Sequence, residues 1–322
     1  MIMVSVALLL SLVLCLLLGV PYIDFLRKKT IGQYILDVAP EAHAKKAGTP
    51  TTGGVFIILA ILISSVITLL MAEKMDTKAL VILITLFFMS LAGFQDDYLK
   101  IKGHENRGLS PRGKLFRQIL IALIPTLYAM QTYGTILTFG SRSLDIGPLY
   151  PLLSIFIITG ASNAYNLTDG LDGLASSVGI PAFLACGIIA FLNGQMVVAI
   201  FSAAALGASF GFLKYNKPKA EVFMGDTGSL ALGGLLGTLA ILGRCELFLA
   251  IFGGVIVAET LSVILQVTSV RLTGKRIFKM SPIHHHFELL GHSEVRIVKE
   301  FTIASLVLAI IAVVLFIFLK LY

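Results

Sequence analysis

The feature that most limits what this chain can become is a repetition: apolar runs of membrane-crossing length recur from one end to the other, separated by short polar loops. A transmembrane helix needs about 17–25 predominantly apolar residues. Ten such segments can be read, at about 2–21, 53–72, 77–95, 115–133, 148–166, 174–192, 195–213, 227–244, 246–268 and 301–320. Backbone polar groups in lipid must be satisfied within the segment, so each run predicts a helix. The expected fold class is all-α, a polytopic membrane protein with ten transmembrane helices and no room for a separate soluble domain, so residues 1–322 are expected to form one integral membrane domain. The first run has no basic stretch ahead of it and is followed by Arg27, Lys28 and Lys29, which predicts a retained anchor rather than a cleaved leader.

A net charge of +7 raises the question of nucleic acid, and the placement of the charges answers it. Twenty of the 25 Lys and Arg residues fall in the odd-numbered loops between spans or at their edges. That asymmetry is the positive-inside rule, and it puts the odd loops in the cytoplasm and both termini on the outer face. No nucleic-acid role is needed to explain the basic balance. Cys15, Cys186 and Cys245 lie in or beside spans without metal-ligand spacing, so they predict packing rather than a disulfide framework.

Against this apolar background the acids stand out. Within Asn163–Ala175, two carboxylates and two glycines sit between long apolar runs. An Asp at the bilayer centre costs about 2.5–3.5 kcal/mol, so acids beside a span call for water, a cation or a ligand. Asp169 and Asp172 are three apart, which places them on one face if the segment is helical, and Gly170 and Gly173 allow a ligand close to the backbone. The third span ends in Asp96 and Asp97. Adjacent carboxylates raise each other's pKa unless a cation holds them ionised, and Lys100 is within helical reach of both. An interfacial salt-bridge cluster is the plainer reading of that group. Asp226 opens the eighth span, where it is either an N-cap, a ligand, or both.

Other loops carry weaker signals. Lys46 to Gly54 is a Gly- and Pro-punctuated turn entering the second span, either a capped helix start or an anion site. The basic loop from Lys102 to Arg117 fixes topology or meets lipid headgroups. Alternation around Thr135–Phe139, with Gly140-Ser141 as a turn, predicts a short external hairpin. Glu259, inside the ninth span, is either a helix-packing hydrogen bond or a functional group. Three consecutive histidines, His284, His285 and His286, point in different directions in any regular element, which disfavours zinc and favours phosphate binding or proton carriage.

Asp96, Asp97, Asp169, Asp172 and Asp226 all fall at predicted cytoplasmic ends of spans, although acids played no part in orienting the chain. Acids, lysines and histidines around a membrane-level cleft suit phosphoryl transfer, where positioning and charge neutralisation do most of the work. An oxygen-rich acidic site suits Mg²⁺. A secondary transporter is the rival reading, but transporters hold their acids near the bilayer midplane.

At Lys46–Gly54, Gly93–Lys100, Asn163–Ala175, Val222–Ser229 and Pro282–Glu288 the chain resembles the polyprenyl-phosphate hexosamine-1-phosphate transferases, over essentially its whole length. The Pro282–Glu288 run favours the muramoyl-pentapeptide branch over the N-acetylglucosamine branch. Where that branch usually reads Thr-Pro-Thr-Met-Gly-Gly, this chain has Thr52 in place of Met. The resemblance implies transfer of phospho-MurNAc-pentapeptide from UDP-MurNAc-pentapeptide to undecaprenyl phosphate, giving lipid I and UMP with Mg²⁺, at the cytoplasmic face of a bacterial inner membrane. It implies Asp226 as the metal ligand, Asp96 and Asp97 at the lipid phosphate with Asp96 as candidate base, and Lys46, Thr51 and Lys100 on phosphates. Asn166 and Asp169 would line the ribose-diphosphate region. Leu171, Asp172, Asn216 and Phe223 would enclose uridine, and His284, His285 and His286 would contact the diphosphate or sugar. The many lipid-facing apolar spans suggest a homodimer.

Overall fold

The structure, a computed structural model, describes residues 1–29, 48–103 and 108–321. The chain is a helical bundle: α1 (Ile2–Lys28), α2 (Gly54–Met71), α3 (Thr77–Gly103), α4 (Pro111–Tyr133), α5 (Leu149–Thr168), α6 (Leu174–Leu192), α7 (Met196–Asn216), α8 (Gly225–Leu242), α9 (Glu246–Phe252), α10 (Gly254–Thr273), α11 (Ile283–Glu288) and α12 (Glu294–Leu321). The expected hairpin is present: β1 (Ile136–Phe139) pairs antiparallel with β2 (Arg142–Asp145), with Ile136 opposite Asp145 and Phe139 opposite Arg142.

Among the described residues, eight helices are long and apolar enough to cross a membrane: α1, α2, α3, α6, α7, α8, α10 and α12. The other two segments expected to span fall on α4 and α5, which are interrupted by polar side chains that pair with each other. Gln118 donates to the Ser162 hydroxyl (3.0 Å), Asn163 donates to the Gln118 carbonyl oxygen (2.8 Å), and Ser162 donates to the carbonyl of Leu230 in α8 (2.8 Å). This clasp satisfies buried amides that would otherwise be costly. One expectation is corrected: segment 246–268 is not a single helix, because the chain breaks at Gly253 between α9 and α10. Several helices also outrun their apolar stretches. α3 continues to Gly103 and α12 starts at Glu294, because a helix need not stop where the hydrocarbon does.

α8 is the axis of the bundle. Every residue from Asp226 to Leu242 is buried, and α3 and α5 pack along its flanks. α7 is nearly as enclosed, between α1 and α6. The first turn of α8 meets two backbones directly. Gly53 and Gly54 N–H groups donate to the carbonyls of Phe223 and Met224, both at 2.8 Å. On the other side α3 approaches through Gly93, where a Cβ would overlap the Asp226 carbonyl and the Thr227 amide. Only glycine permits that contact, and it is what brings the α3 carboxylates to the head of α8.

Gly93→Ala is therefore expected to push α3 off α8 at a cost of about 1–3 kcal/mol, the usual range for overpacking. The measurement is the thermal melting midpoint of detergent-solubilised protein. Gly103→Ala, at a position with open space around it, serves as the control and should melt like the parent.

Candidate active site at the head of α8

An α-helix leaves its first N–H groups without intrahelical partners, and the head of α8 has no local side-chain cap. Asp226 is not the N-cap; Met224 holds that position and Asp226 lies in the first turn. The cap comes instead from α3. Asp97 accepts the Asp226 N–H (3.0 Å), the Thr227 N–H (2.9 Å) and the Thr227 hydroxyl (2.5 Å). A carboxylate at this end of a helix is also favoured by the dipole.

With its amide satisfied by Asp97, Asp226 turns its carboxylate into a cluster of opposite charge. Lys114 Nζ lies 2.5 Å and Lys100 Nζ 3.3 Å from Asp226 Oδ2. Asn166 donates to Oδ1 at 2.9 Å and also to the Ser229 hydroxyl at 2.8 Å. Asp96 shares both lysines, Lys100 at 2.6 Å and Lys114 at 3.5 Å, and accepts the Leu109 N–H at 2.7 Å. Thr51 Oγ1 and Asp97 crowd Gly225 from the same corner. One oxygen from each of Asp96, Asp97 and Asp226 lies within 4.8 Å of the others. Three buried carboxylates at that spacing offer the hard oxygen donors that a small divalent cation takes, and two ammonium groups beside them suit an anionic ligand. Beside Asp226's first turn, Thr52 holds a left-handed backbone (φ +71°), an unusual conformation for a β-branched residue, and its hydroxyl pairs with that of Tyr22 at 3.2 Å.

The second wall is the turn between α5 and α6. α5 stops at Thr168, so Asp169 and Asp172 do not share a helical face; Gly173 takes φ +77° to start α6, and the chain turns there instead of continuing. Asp172 is buried, with Oδ2 accepting the Lys219 and Ala220 N–H groups at 3.1 Å each, while its own N–H donates to Glu294 Oε1 at 2.6 Å. Asn216 accepts the Gly173 N–H (3.0 Å) and donates to the Val222 carbonyl (2.9 Å). Leu171 is buried, and Phe223 donates its N–H to the Pro50 carbonyl at 2.8 Å. Asp169 is half-buried. Burial first, then the charges of Asp226, Asp97 and Asp172, push its carboxyl up to about 8, so a cation or a donor on a ligand is needed to hold it ionised at neutral pH.

The histidines have separate partners, as their consecutive placement requires. His284 is fully buried, its Nδ1 3.1 Å from Glu259 Oε1. His285 Nδ1 pairs with Glu288 at 2.6 Å, and His286 Nδ1 accepts the Lys279 N–H at 3.1 Å. Gln266 shapes the preceding loop by accepting the Ile277 and Phe278 N–H groups, both at 3.0 Å. The structure thus gathers Thr51, Asp96, Asp97, Lys100, Asn166 and Asp226 at one point, and sets Asp169, Leu171, Asp172, Asn216 and Phe223 along an adjoining wall. Lys46 lies outside the described residues. Sequence reasoning missed Lys114, which it left among the basic residues of the third loop. Its one local signal is a start of α4 marked by Ser110, whose hydroxyl accepts the Gly113 N–H at 3.1 Å, with Pro111 next; that places Lys114 within the first turn of a helix rather than in a loop.

Comparison with known proteins fits this geometry. Glycosyl transferase family 4 matches residues 79–244, which run from α3 through α8 and so include every residue of the acidic cluster. The chain is 48% identical over 300 residues to the phospho-N-acetylmuramoyl-pentapeptide-transferase of Bacillus licheniformis, covering 92% of this chain and 93% of that one. It is 48% identical over 296 residues to the enzyme of the same name from Bacillus subtilis strain 168 (90% and 91% covered), and 45% identical over 313 residues to that of Geobacillus sp. strain WCH70 (95% and 96%). The chain belongs to glycosyl transferase family 4, on the branch that carries the phospho-N-acetylmuramoyl-pentapeptide-transferases.

Proposed function

We propose that this protein transfers phospho-MurNAc-pentapeptide from UDP-MurNAc-pentapeptide to undecaprenyl phosphate, releasing UMP and giving lipid I for peptidoglycan synthesis. The observation that carries the reading is the head of α8, where three carboxylates and two lysines meet on a chain 48% identical to transferases of that name. An oxygen of the lipid phosphate forms a bond to the sugar-bearing phosphorus, and the bond from that phosphorus to the oxygen bridging toward uridine breaks, so UMP leaves. A phosphate monoester is already a competent nucleophile near neutral pH, so direct attack needs no covalent aspartyl intermediate.

The chain's residues divide this work. Lys100 and Lys114 bring positive charge to the transferring phosphates, with Lys46 and Thr51 assigned to the same task. Asp96 faces both lysines and is the carboxylate placed to receive a proton from the lipid phosphate. Asp97 holds the turn that carries Asp226. We assign Asp226 as ligand to Mg²⁺, supported by Asp96; the cation, when bound, neutralises charge on the diphosphate. Asn166 and Asp169 face the ribose-diphosphate side, and Leu171, Asp172, Asn216 and Phe223 form the uridine wall, where Asp172 and Asn216 act mainly by fixing the 217–222 loop. The loop that carries the histidines borders the diphosphate and sugar, with His285 more open than the buried His284.

In the same reading the chain has ten spans with both termini on the outer face, works at the cytoplasmic face of a bacterial inner membrane, and pairs as a homodimer. The branch that takes UDP-N-acetylglucosamine instead is separated by competing the two UDP-sugars in one assay.

Purified protein given Mg²⁺ and undecaprenyl phosphate is expected to release UMP from UDP-MurNAc-pentapeptide; no release overturns the reading. Asp226→Asn should lose nearly all turnover while melting normally. Lys114→Met should cut turnover by about 10²–10³, the scale of losing one charge-stabilising group, and an effect under threefold would remove Lys114 from the mechanism. For topology, the three native cysteines are buried, so Lys275→Cys is expected to react with a membrane-impermeant maleimide in inside-out vesicles and not in intact cells.

A further inference from the structure

The transfer mechanism gives no chemical step to the buried pair of Glu259 and His284. Glu259, in the second turn of α10, and His284, in the first turn of α11, are both without solvent exposure. Oε1 and Nδ1 lie 3.1 Å apart, while Glu259 Oε2 and His284 Nε2 have no partner. Nε2 is not aimed into the open cleft. It lies against Gly170, where any Cβ would overlap it, directly after Asp169 in the turn assigned to the diphosphate. The same turn is tied at Asp172 to Glu294 and at Gly173 to Asn216. The His284 and His285 rings are 4.1 Å apart, and His285 is the more open of the two.

Chemistry selects one arrangement of the protons. With the hydrogen on Nδ1, His284 donates to the Glu259 carboxylate and leaves a lone pair on Nε2, which faces the Cα–H of Gly170 as a weak acceptor. With the hydrogen on Nε2, a buried donor would face carbon and a lone pair would face a carboxylate oxygen, and each costs free energy. We propose that Glu259 and His284 are a positioning pair: Glu259 fixes the Nδ1–H form of His284, whose Nε2 edge supports Gly170 from beneath and sets where the Asp169–Gly170 turn meets the nucleotide substrate. His284 thereby acts through the turn, and His285 is left as the histidine able to reach substrate. This inference rests on the transferase reading for its kinetic arm only.

The test uses full-length protein in detergent or nanodiscs. In ¹⁵N-histidine spectra, with His284 assigned by its loss in His284→Gln, wild type should show Nδ1 protonated and Nε2 unprotonated. Glu259→Gln, whose amide carbonyl still accepts from Nδ1, should keep that signature and most of the turnover. Glu259→Leu should lose the signature and raise KM for the UDP-sugar about tenfold, with KM for polyprenyl phosphate unchanged. Gly170→Ala, which fills the space from the other side, should raise the same KM and stands in for Glu259→Leu if that variant fails to fold. A wild-type Nε2–H form, or a UDP-sugar KM within twofold of wild type in both Glu259→Leu and Gly170→Ala, overturns the proposal, and so does an equal rise in both KM values. If wild type releases no UMP, the transferase reading fails and the spectra alone decide the pair.

Discussion

The hydrogen bonds from the head of α8 to Asp97 are what the rest of the site depends on. A helix enclosed on all sides must begin somewhere, and its first amides need acceptors where water is scarce. A neighbouring helix supplies them, so the cap is tertiary and forms only when α3 is seated. Seating α3 requires the bare backbone at Gly93. Three facts that look unrelated in sequence, a glycine, a pair of aspartates and a buried helix start, are therefore one device. It leaves Asp226 and Asp96 free to share two lysines at the mouth of the bundle.

The adjoining wall is built on the same principle. The turn after α5 has little regular structure, yet it is held by side chains from α7, α10–α11 and α12. A loop fixed from several elements can present a carboxyl such as Asp169 in a defined place without a helix to carry it. Asp172 shows the cost of reading such a segment by spacing alone. Three residues after Asp169, it shares a face with Asp169 only if the segment is helical; in the fold the segment is a turn and the Asp172 carboxylate serves the backbone of the next loop.

Much of the architecture was legible in the sequence because lipid imposes one rule on every span. The helices, the hairpin at Gly140-Ser141 and the meeting of Asp96 and Asp226 at one end of the bundle all follow from hydropathy, turn chemistry and charge placement. What was not legible depends on contacts between distant segments. Lys114 is one basic residue among several until α4 is set against α3 and α8. Glu259 offers no hint in sequence that its partner lies 25 residues on. The break at Gly253 is invisible to hydropathy, which stays apolar on both sides.

α10 presents a narrow buried stripe, Val255, Ile256, Glu259, Ser262 and Gln266, and two members of that stripe hold the histidine loop, through His284 and through the amides of Ile277 and Phe278. Much of the opposite side is exposed and apolar, with Leu261, Ile264, Leu265, Val267 and Val270 open. The loop is thus slung from a helix that is seated on α5 along one stripe and is open along the other side. The register of a polar loop is thereby tied to the rotation of an apolar helix: turning α10 about its axis moves Glu259 and Gln266 together, and the histidines with them.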